Sequence, residues 1–329
     1  AFYGCENLSS VNLPQGVSYI GYSAFENCFA LSEVTLPVGV TSVMDGTFQN
    51  CRSLSSVVLH SFVEKVGNHA FYGCEELESV KVGVGVCSFG KEAFYGCKSL
   101  KEVYINDLAA WCAVDFESAE SNPLFYGSAL YVKNEPIVEL ELPQGVEKVS
   151  AYAFQNVSSI EALVLPEGLK TIGKSAFAGC RALLGVELPD SLEELEDGAF
   201  STCTALTRVD LPSGLKTLGA YAFYNCFSLK TVYFPDALDV IRERSFAGCA
   251  ALTRVVFPEQ VRAIEQAAFF GCGALTSLDL PAGLRTIGKD AFYGCSKLKK
   301  VYIYDGLSTV EEGAFGGCDA LLGVYAETL

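Results

Sequence analysis

The chain has 329 residues, half of them hydrophobic, and its 23 Lys and Arg against 39 Asp and Glu give a formal net charge of −16. This balance argues against nucleic-acid binding and against adsorption to an anionic membrane, because both depend on a basic surface. No apolar stretch approaches the roughly 18 residues that a membrane helix needs, and no segment has the pattern of a signal peptide. The chain begins with Ala1 and has no polar capping repeat in its sequence, so we expect either flanking repeats or domains in a longer protein, or end coils that fray or dimerise.

Phenylalanine recurs every 23 residues along most of the chain. The unit reads F-x-x-C-x-x-L-x-x-V-x-L-P-x-G-V-x-x-I-G-x-x-A, with Phe at position 1. One unit cannot bury its apolar side alone, so the period predicts a solenoid whose stacked coils form rows of identical buried side chains. The phenylalanines are Phe2, Phe25, Phe48, Phe71, Phe94, Phe154, Phe177, Phe200, Phe223, Phe246, Phe269, Phe292 and Phe315.

Each unit predicts two extended segments and a turn. In V-x-L-P the apolar residues are two apart and share one face of a strand, which Pro ends because it has no N–H to donate. V-x-x-I-G predicts a second, shorter strand on the opposite side, and A-F-x-x-C turns the chain back. Stacked cysteines would lie about 4.8 Å apart, beyond the usual Cβ distance of a disulfide, so we expect free thiols.

The repeat breaks once, between Phe94 and Phe154, and the gap of 60 residues equals two repeats plus 14 residues. We place a repeat without its Phe at Tyr131 and the extra residues in an insertion at 107–130, within a single domain spanning 1–329. The insertion holds Trp111, the only Trp of the chain. Trp111 either contacts a partner, as loops on a rigid scaffold often do, or fills the gap in the stack, as large aromatic residues usually do.

The unit Phe177-Ala-Gly-Cys180-Arg-Ala-Leu183-Leu-Gly-Val186-Glu-Leu188-Pro189 resembles the BspA-like, or treponemal-type, leucine-rich repeats. The resemblance covers nearly the whole chain. It implies a curved, right-handed leucine-rich-repeat solenoid, α/β-type or mostly β, with about 14 repeats of 23 residues. It also implies a secreted or surface-anchored protein of host-associated bacteria that adheres to host matrix or microbial surface proteins.

No catalytic set can be assembled from the residues. His60 and His69 are the only histidines, and neither has a cluster of metal-ligating residues around it in the sequence. Gly83-Val-Gly85 lacks the third glycine and the following helix of a dinucleotide loop, so it is better explained as a degenerate repeat turn. We therefore predict no enzymatic activity, no cofactor and no bound metal.

Positions 9 and 11 flank the buried Val of the main strand, so their side chains point outward. Tyr and Arg are enriched at binding hot spots, which predicts a partner-contacting strip toward the C-terminal end. The alternative is that Tyr suits strands and that Arg and Lys keep the sheet soluble. The predicted contact residues are Arg208, Tyr233, Arg254, Lys300, Tyr302 and Tyr325, with Trp111 as a further candidate.

These observations favour an extracellular or cell-surface module that binds a protein partner through its exposed sheet. Two alternatives stay open: a carbohydrate-binding module that uses exposed tyrosines, and a structural spacer within a larger surface protein. We expect no nucleic-acid partner and no membrane insertion of this segment.

Overall fold

The computed structural model describes residues 1–327, so the predicted end of the last repeat at Leu329 lies outside the described residues. It divides into two compact units. The first unit comprises Ala1–Ile137 and Ser150–Val157, and the second comprises Val138–Val149 and Ser158–Leu329. In each unit the chain coils so that long and short strands alternate and pair with their equivalents in the next coil, which confirms the predicted solenoid.

The first unit contains two groups of strands joined by turns. Its long strands pair in parallel, and a final short strand, Glu135–Pro136, pairs antiparallel to the last of them. The long strands are Ser56–Leu59, Ser79–Val82, Glu102–Ile105 and Ala129–Val132. The short strands are Ser42–Val43, Lys65–Val66, Ser88–Phe89 and Asp115–Phe116, all parallel.

The second unit repeats this arrangement with closer regularity. Every strand pair described in it is parallel, and most registers join residues 23 apart. Its long strands are Glu139–Glu141, Ala162–Val164, Gly185–Glu187, Arg208–Asp210, Thr231–Tyr233, Arg254–Val256, Ser277–Asp279, Lys300–Tyr304 and Gly323–Glu327. Its short strands are Lys148–Val149, Thr171–Ile172, Glu194–Leu195, Thr217–Leu218, Val240–Ile241, Ala263–Ile264, Thr286–Ile287 and Thr309–Val310.

The turn around each Phe requires left-handed backbone on both sides of it. In the coil of Phe223, Tyr221 has a φ of 59° and Asn225 a φ of 57°. In the next coil the residue equivalent to Asn225 is Gly248, with a φ of 79°. Glycine and asparagine tolerate this region best, which explains why one or the other occupies this position in most coils.

The phenylalanines form the centre of the core in each unit. In the second unit, the Phe200 ring stacks on Phe177 at a centroid distance of 5.4 Å and on Phe223 at 5.7 Å. All three rings are fully buried. Complete burial of a large apolar side chain stabilises a fold by about 1.5–3 kcal/mol, so the row of rings contributes strongly to holding the coils together.

Most of the cysteines form a second buried row, and none of the fourteen forms a disulfide, as their spacing predicted. Most buried thiols of the regular coils donate a hydrogen bond to the Phe carbonyl of the preceding coil. The Cys226 Sγ, for example, lies 3.2 Å from the carbonyl oxygen of Phe200, and the Cys51 Sγ lies 3.2 Å from that of Phe25. The thiol therefore packs as a small apolar group and also satisfies a carbonyl inside the turn.

The irregular coil of the first unit begins with the chain's single α-helix among the described residues, Leu108–Cys112. The Asp107 side chain caps it by accepting a hydrogen bond of 2.9 Å from the Ala110 N–H. Phe116 then pairs opposite Phe89, 27 residues earlier, so this coil is four residues longer than the 23-residue repeat. A 3₁₀ turn, Ala119–Ser121, follows.

The predicted start of a repeat at Tyr131 is wrong. Tyr131 lies on the long strand Ala129–Val132, opposite Tyr104, and so occupies a strand position and not a Phe position. Its ring stacks on Tyr104 at 4.6 Å. The chain then reverses into the antiparallel strand Glu135–Pro136, a hairpin that the 23-residue pattern does not contain. Part of the extra length therefore follows residue 130.

Candidate functional site

The front face of the second unit is the set of outward side chains at positions 9 and 11 of its long strands, from Glu139–Glu141 to Gly323–Glu327. Alternate residues of a strand point to opposite sides, and the burial follows this rule: Val209 is fully buried between the exposed Arg208 and Asp210. All the predicted contact residues except Trp111 lie on this face.

A groove of about 550 Å³ crosses the front face over three neighbouring long strands. Its floor is formed at position 9 by Ala162 and Gly185, which pair side by side. Exposed Val164, with 45 % of its surface accessible, extends the floor at position 11. The remaining lining residues are half apolar and half charged, and the charged ones are Glu167, Glu187, Asp190, Arg208 and Asp210.

Arg208 and Asp210 form a ridge at one side of this groove. Their side chains lie on the same strand face and form an ion pair with an Nη2–Oδ2 distance of 2.5 Å. The hydrogen bond to Asp210 raises the pKa of the Arg208 guanidinium. Beyond the ridge lies a second depression of about 410 Å³, lined by Arg208, Asp210, Lys230 and Tyr233 together with Thr207 and Thr231. The structure thus brings two predicted residues, Arg208 and Tyr233, to one depression.

Arg254 continues the front face on the next strand, where it pairs with Thr231, and Tyr233 pairs with Val256. Tyr233 is 48 % exposed and Val256 36 %. Within residues 1–327, Arg254 makes no ion pair closer than 4 Å, so its guanidinium is available to an incoming group. An exposed Tyr and Arg beside an exposed Val give the mixture of aromatic, cationic and apolar surface that binding hot spots use.

Lys300, Tyr302 and Tyr325 form a separate patch on the last two long strands. Tyr302 pairs with Tyr325, and their rings stack at a centroid distance of 5.4 Å. Tyr325 is 44 % exposed, and Lys300 is exposed at position 9 of the neighbouring strand. One strand, Ser277–Asp279, carries none of the six predicted residues and separates this patch from Arg254, so the predicted residues form two neighbouring groups on the front face.

The side of the second unit that carries the short strands has a different electrostatic character. Its exposed charges pair with each other from coil to coil: Lys216 with Glu193 at 2.6 Å and Lys170 with Glu147 at 3.7 Å. The bond from Lys216 lowers the pKa of Glu193. Exposed ion pairs contribute little to stability, but here they neutralise charges that could otherwise face a partner.

Trp111 lies inside the first unit and is 2 % exposed. Its indole Nε1–H donates a hydrogen bond of 2.8 Å to the Ala153 carbonyl, and its ring meets Phe116 edge to face at 5.3 Å. Asn122, also buried, donates to the Tyr152 carbonyl at 2.7 Å. Of the two roles considered for Trp111, the structure places it in the packing one, so we leave it out of the proposed binding surface.

We expect the fluorescence of Trp111 to report this burial, because it is the only Trp of the chain. The native emission maximum should lie well to the blue of that of the unfolded chain, and acrylamide should quench it weakly. Both spectra can be recorded on the same sample before and after addition of guanidinium chloride. A native maximum equal to the unfolded one would contradict the packing role.

The two histidines and most of the buried thiols of the regular coils contact groups within the fold. Burial raises the pKa of Cys203 to about 12 and that of Cys226 well above its usual value, which keeps these thiols protonated and poorly nucleophilic. His60 bonds to the Pro37 carbonyl, and His69 lies 3.3 Å from Glu92. Among the described residues no group of His, Cys, Asp or Glu could hold a metal ion, and no helix is long and apolar enough to cross a membrane.

Comparison with known protein families places this fold. The BspA type leucine rich repeat region matches in six copies, over residues 1–112, 127–252 and 216–327. The chain belongs to the BspA-type leucine-rich-repeat family. The matches leave out residues 113–126, which lie within the predicted insertion. The family assignment and the leucine-rich-repeat fold expected from the sequence are therefore confirmed, and no curated protein matches the chain.

Several solved bacterial structures are similar to this chain. A leucine-rich cell surface protein of Faecalibacterium prausnitzii is 25 % identical, with a TM-score of 0.57 over 88 % of this chain and 83 % of its own. A leucine-rich repeat protein of Eubacterium ventriosum is 22 % identical, with a TM-score of 0.59 over the same shares. One from Bacteroides ovatus is 26 % identical over 97 % of this chain and 87 % of its own, with a TM-score of 0.49.

Sequence reasoning missed the groove. It singled out large side chains at positions 9 and 11, whereas the groove exists because Ala162 and Gly185 are small. The available signal was the occurrence of the two smallest residues at position 9 in consecutive repeats, directly before Arg208.

Proposed function

We propose that this chain is a non-catalytic binding module that recognises a protein partner through the front face of its second unit. The observation that carries the proposal is the cluster of Arg208, Tyr233 and Arg254 beside two depressions on an exposed sheet. Parallel strands hold these side chains at fixed spacing, so the surface is preorganised and loses little entropy on binding.

The charge distribution supports the choice of this face. The opposite side carries coil-to-coil ion pairs, whereas Arg254 on the front face is unpaired among the described residues and Tyr233 and Val256 are half-exposed. We place the protein at the cell surface or outside the cell, since the similar protein of Faecalibacterium prausnitzii is a cell surface protein. The partner class is a host matrix protein or a protein on another microbial surface.

The stacked pair of Tyr302 and Tyr325 supports a second candidate, a carbohydrate-binding module. The flat rings of two adjacent tyrosines could pack against the apolar face of a sugar ring, and Lys300 lies beside them. This patch is separate from Arg208, Tyr233 and Arg254, so the two candidates can be tested with different variants.

The test compares binding of three proteins to immobilised matrix proteins, intact bacteria and a glycan array. They are the wild type, the front-face variant Tyr233→Ala with Arg254→Ala, and the control Lys170→Ala with Lys216→Ala on the short-strand side. We expect the front-face variant to lose binding to a protein target by about tenfold or more, as removal of hot-spot residues does, and the control to bind normally.

Two results would contradict the proposal. Equal binding of both variants would remove the front face as the contact surface. Binding only to glycans, lost on Tyr302→Ala with Tyr325→Ala, would favour the carbohydrate-binding module instead. A chain that binds nothing in any of these assays would be better explained as a structural spacer.

A further inference from the structure

Gly185 lies on the third of the nine long strands of the front face, at a position where the backbone does not require glycine. Its φ is not in the left-handed region, and a Cβ built on it would meet no atom within 4 Å. Gly323, the other glycine at position 9 of the second unit, differs because a Cβ there would lie 2.9 Å from the Tyr325 ring. A Cβ at Gly323 would require the exposed Tyr325 side chain to move, whereas a Cβ at Gly185 would meet none of the described residues.

Glycine in a strand weakens the strand, and it often marks a place where a ligand or another backbone approaches closely. At Gly185 the open space is the floor of the groove, between Ala162 on one side and Arg208 on the other. A side chain at position 185 would fill this space. Because Gly185 has no side chain, this space is open to a group from outside the chain.

The lining of the groove indicates the charge of that group. Four carboxylates, those of Glu167, Glu187, Asp190 and Asp210, stand against one guanidinium, that of Arg208. Arg208 is already paired with Asp210. In the described part of the chain, Glu167, Glu187 and Asp190 make no ion pair within 4 Å, although the charge of Glu187 contributes to the raised pKa of Arg208. The carboxylates that line the groove therefore outnumber its one cation.

From the apolar floor and the acidic rim we infer that the groove binds an extended basic segment of a protein partner through a Lys or Arg side chain. The aliphatic part of that side chain lies over Gly185, Ala162 and Val164, as long basic side chains do on apolar surface. Its charged end meets Glu187. This inference rests on the proposed function and adds the chemistry of the bound segment.

The probe for the test is a fluorescent ten-residue peptide of alternating glycine and lysine, since an extended chain of this pattern presents all its lysines on one side. Fluorescence anisotropy measures its binding at physiological ionic strength. Peptides in which Gln or Glu replaces Lys serve as charge controls. We expect the Lys peptide to bind and the other two to bind at least about tenfold more weakly, as electrostatic complementarity requires.

Two substitutions locate the site. Gly185→Val fills the floor with a residue that suits a strand and that the open space accommodates, and it should weaken binding of the Lys peptide by about tenfold or more through steric exclusion. Glu187→Gln should weaken it by about threefold to tenfold, the range of a lost charge contact. Glu76→Gln removes the same charge from an exposed position of the first unit and should have no effect.

The inference is overturned if Gly185→Val, shown to be folded by circular dichroism, binds the Lys peptide as the wild type does. It is also overturned if Glu76→Gln weakens binding as much as Glu187→Gln, because the peptide would then follow net charge alone. These readouts do not involve Tyr233 or Arg254. The groove could therefore fail to bind the Lys peptide while the variant of Tyr233 and Arg254 still loses binding to a protein partner. That combination would overturn this inference and leave the proposed function unchanged.

Discussion

The protein should lose stability steeply as the pH rises above about 9, because its buried thiols must stay protonated in the folded state. Burial raises the pKa of Cys51, Cys112, Cys203 and Cys295 from the ordinary value of 9.0 to about 12. Between these two values the unfolded chain releases thiol protons while the folded chain retains them. The unfolded state therefore binds fewer protons, and the free energy of unfolding falls with pH.

The magnitude follows from linkage. Each thiol in this window lowers the free energy of unfolding by about 1.4 kcal/mol per pH unit, so four thiols lower it by roughly 5–6 kcal/mol per unit. That is comparable to the whole stability of a typical domain. The stability that the buried, protonated thiols contribute is fully present below pH 9 and is lost progressively toward pH 12. We expect cooperative unfolding before pH 11, measured by circular dichroism with a reductant present.

A matched variant isolates the thiol. Val157 is fully buried at the Cys position of its own coil, so valine fits this row. Cys203→Val should therefore reduce the pH dependence of the urea midpoint by the amount that one thiol contributes. This holds whether or not the substitution changes the stability at neutral pH. A stability independent of pH between 9 and 11 would show that the thiols titrate normally. Ellman's reagent gives an independent check, because of the fourteen thiols only Cys5 and Cys87 are exposed.

The regular coils could be predicted from sequence because each position of the repeat experiences the same environment in every coil. Phe at position 1 and Cys at position 4 recur because their neighbours are other copies of themselves, so a linear pattern is enough to place them in space. The assignment of free thiols followed from the same regular spacing. Whether 1–329 is one domain stays a prediction, since the structure divides the described residues into two units.

The irregular coil could not be predicted because its residues occupy the structural positions of the repeat but differ from the repeat consensus in sequence. Leu124, 27 residues after Cys97, is fully buried but is not a Cys, and a helix occupies the connection before it. Tyr131 was assigned to a Phe position because the residues from Ile137 onward fit the repeat. A hairpin before Ile137 accommodates the extra residues, and a 23-residue sequence period gives no sign of such a hairpin.

The front face shows a different limit. The outward direction of positions 9 and 11 was predictable from strand geometry, and so was the proximity of Arg208 and Asp210, two residues apart on one strand. The groove could not be predicted, because it depends on the combination of small and large side chains on three neighbouring strands. Whether Arg208, Tyr233, Arg254, Lys300, Tyr302 and Tyr325 contact a partner stays a prediction for the binding experiments.

Phe200→Ala should destabilise the second unit by about 3–5 kcal/mol, the usual cost of removing a fully buried aromatic ring. The substitution removes two stacking contacts, those with Phe177 and Phe223, whose ring planes lie within 10° and 3° of the Phe200 ring. Aromatic pairs contribute about 0.5–1.5 kcal/mol each beyond the area that they bury, so this position should reach the upper part of the range. Urea unfolding followed by circular dichroism measures the change.

The matched control is Phe227→Ala in the next coil. Phe227 is 49 % exposed, so its removal leaves no cavity and should change the free energy of unfolding by less than about 0.5 kcal/mol. Because each coil contacts only its neighbours, the loss at Phe200 should also increase hydrogen exchange most in the coils of Phe177 and Phe223 and least in the first unit. Equal destabilisation by both substitutions would contradict a core built on the stacked rings.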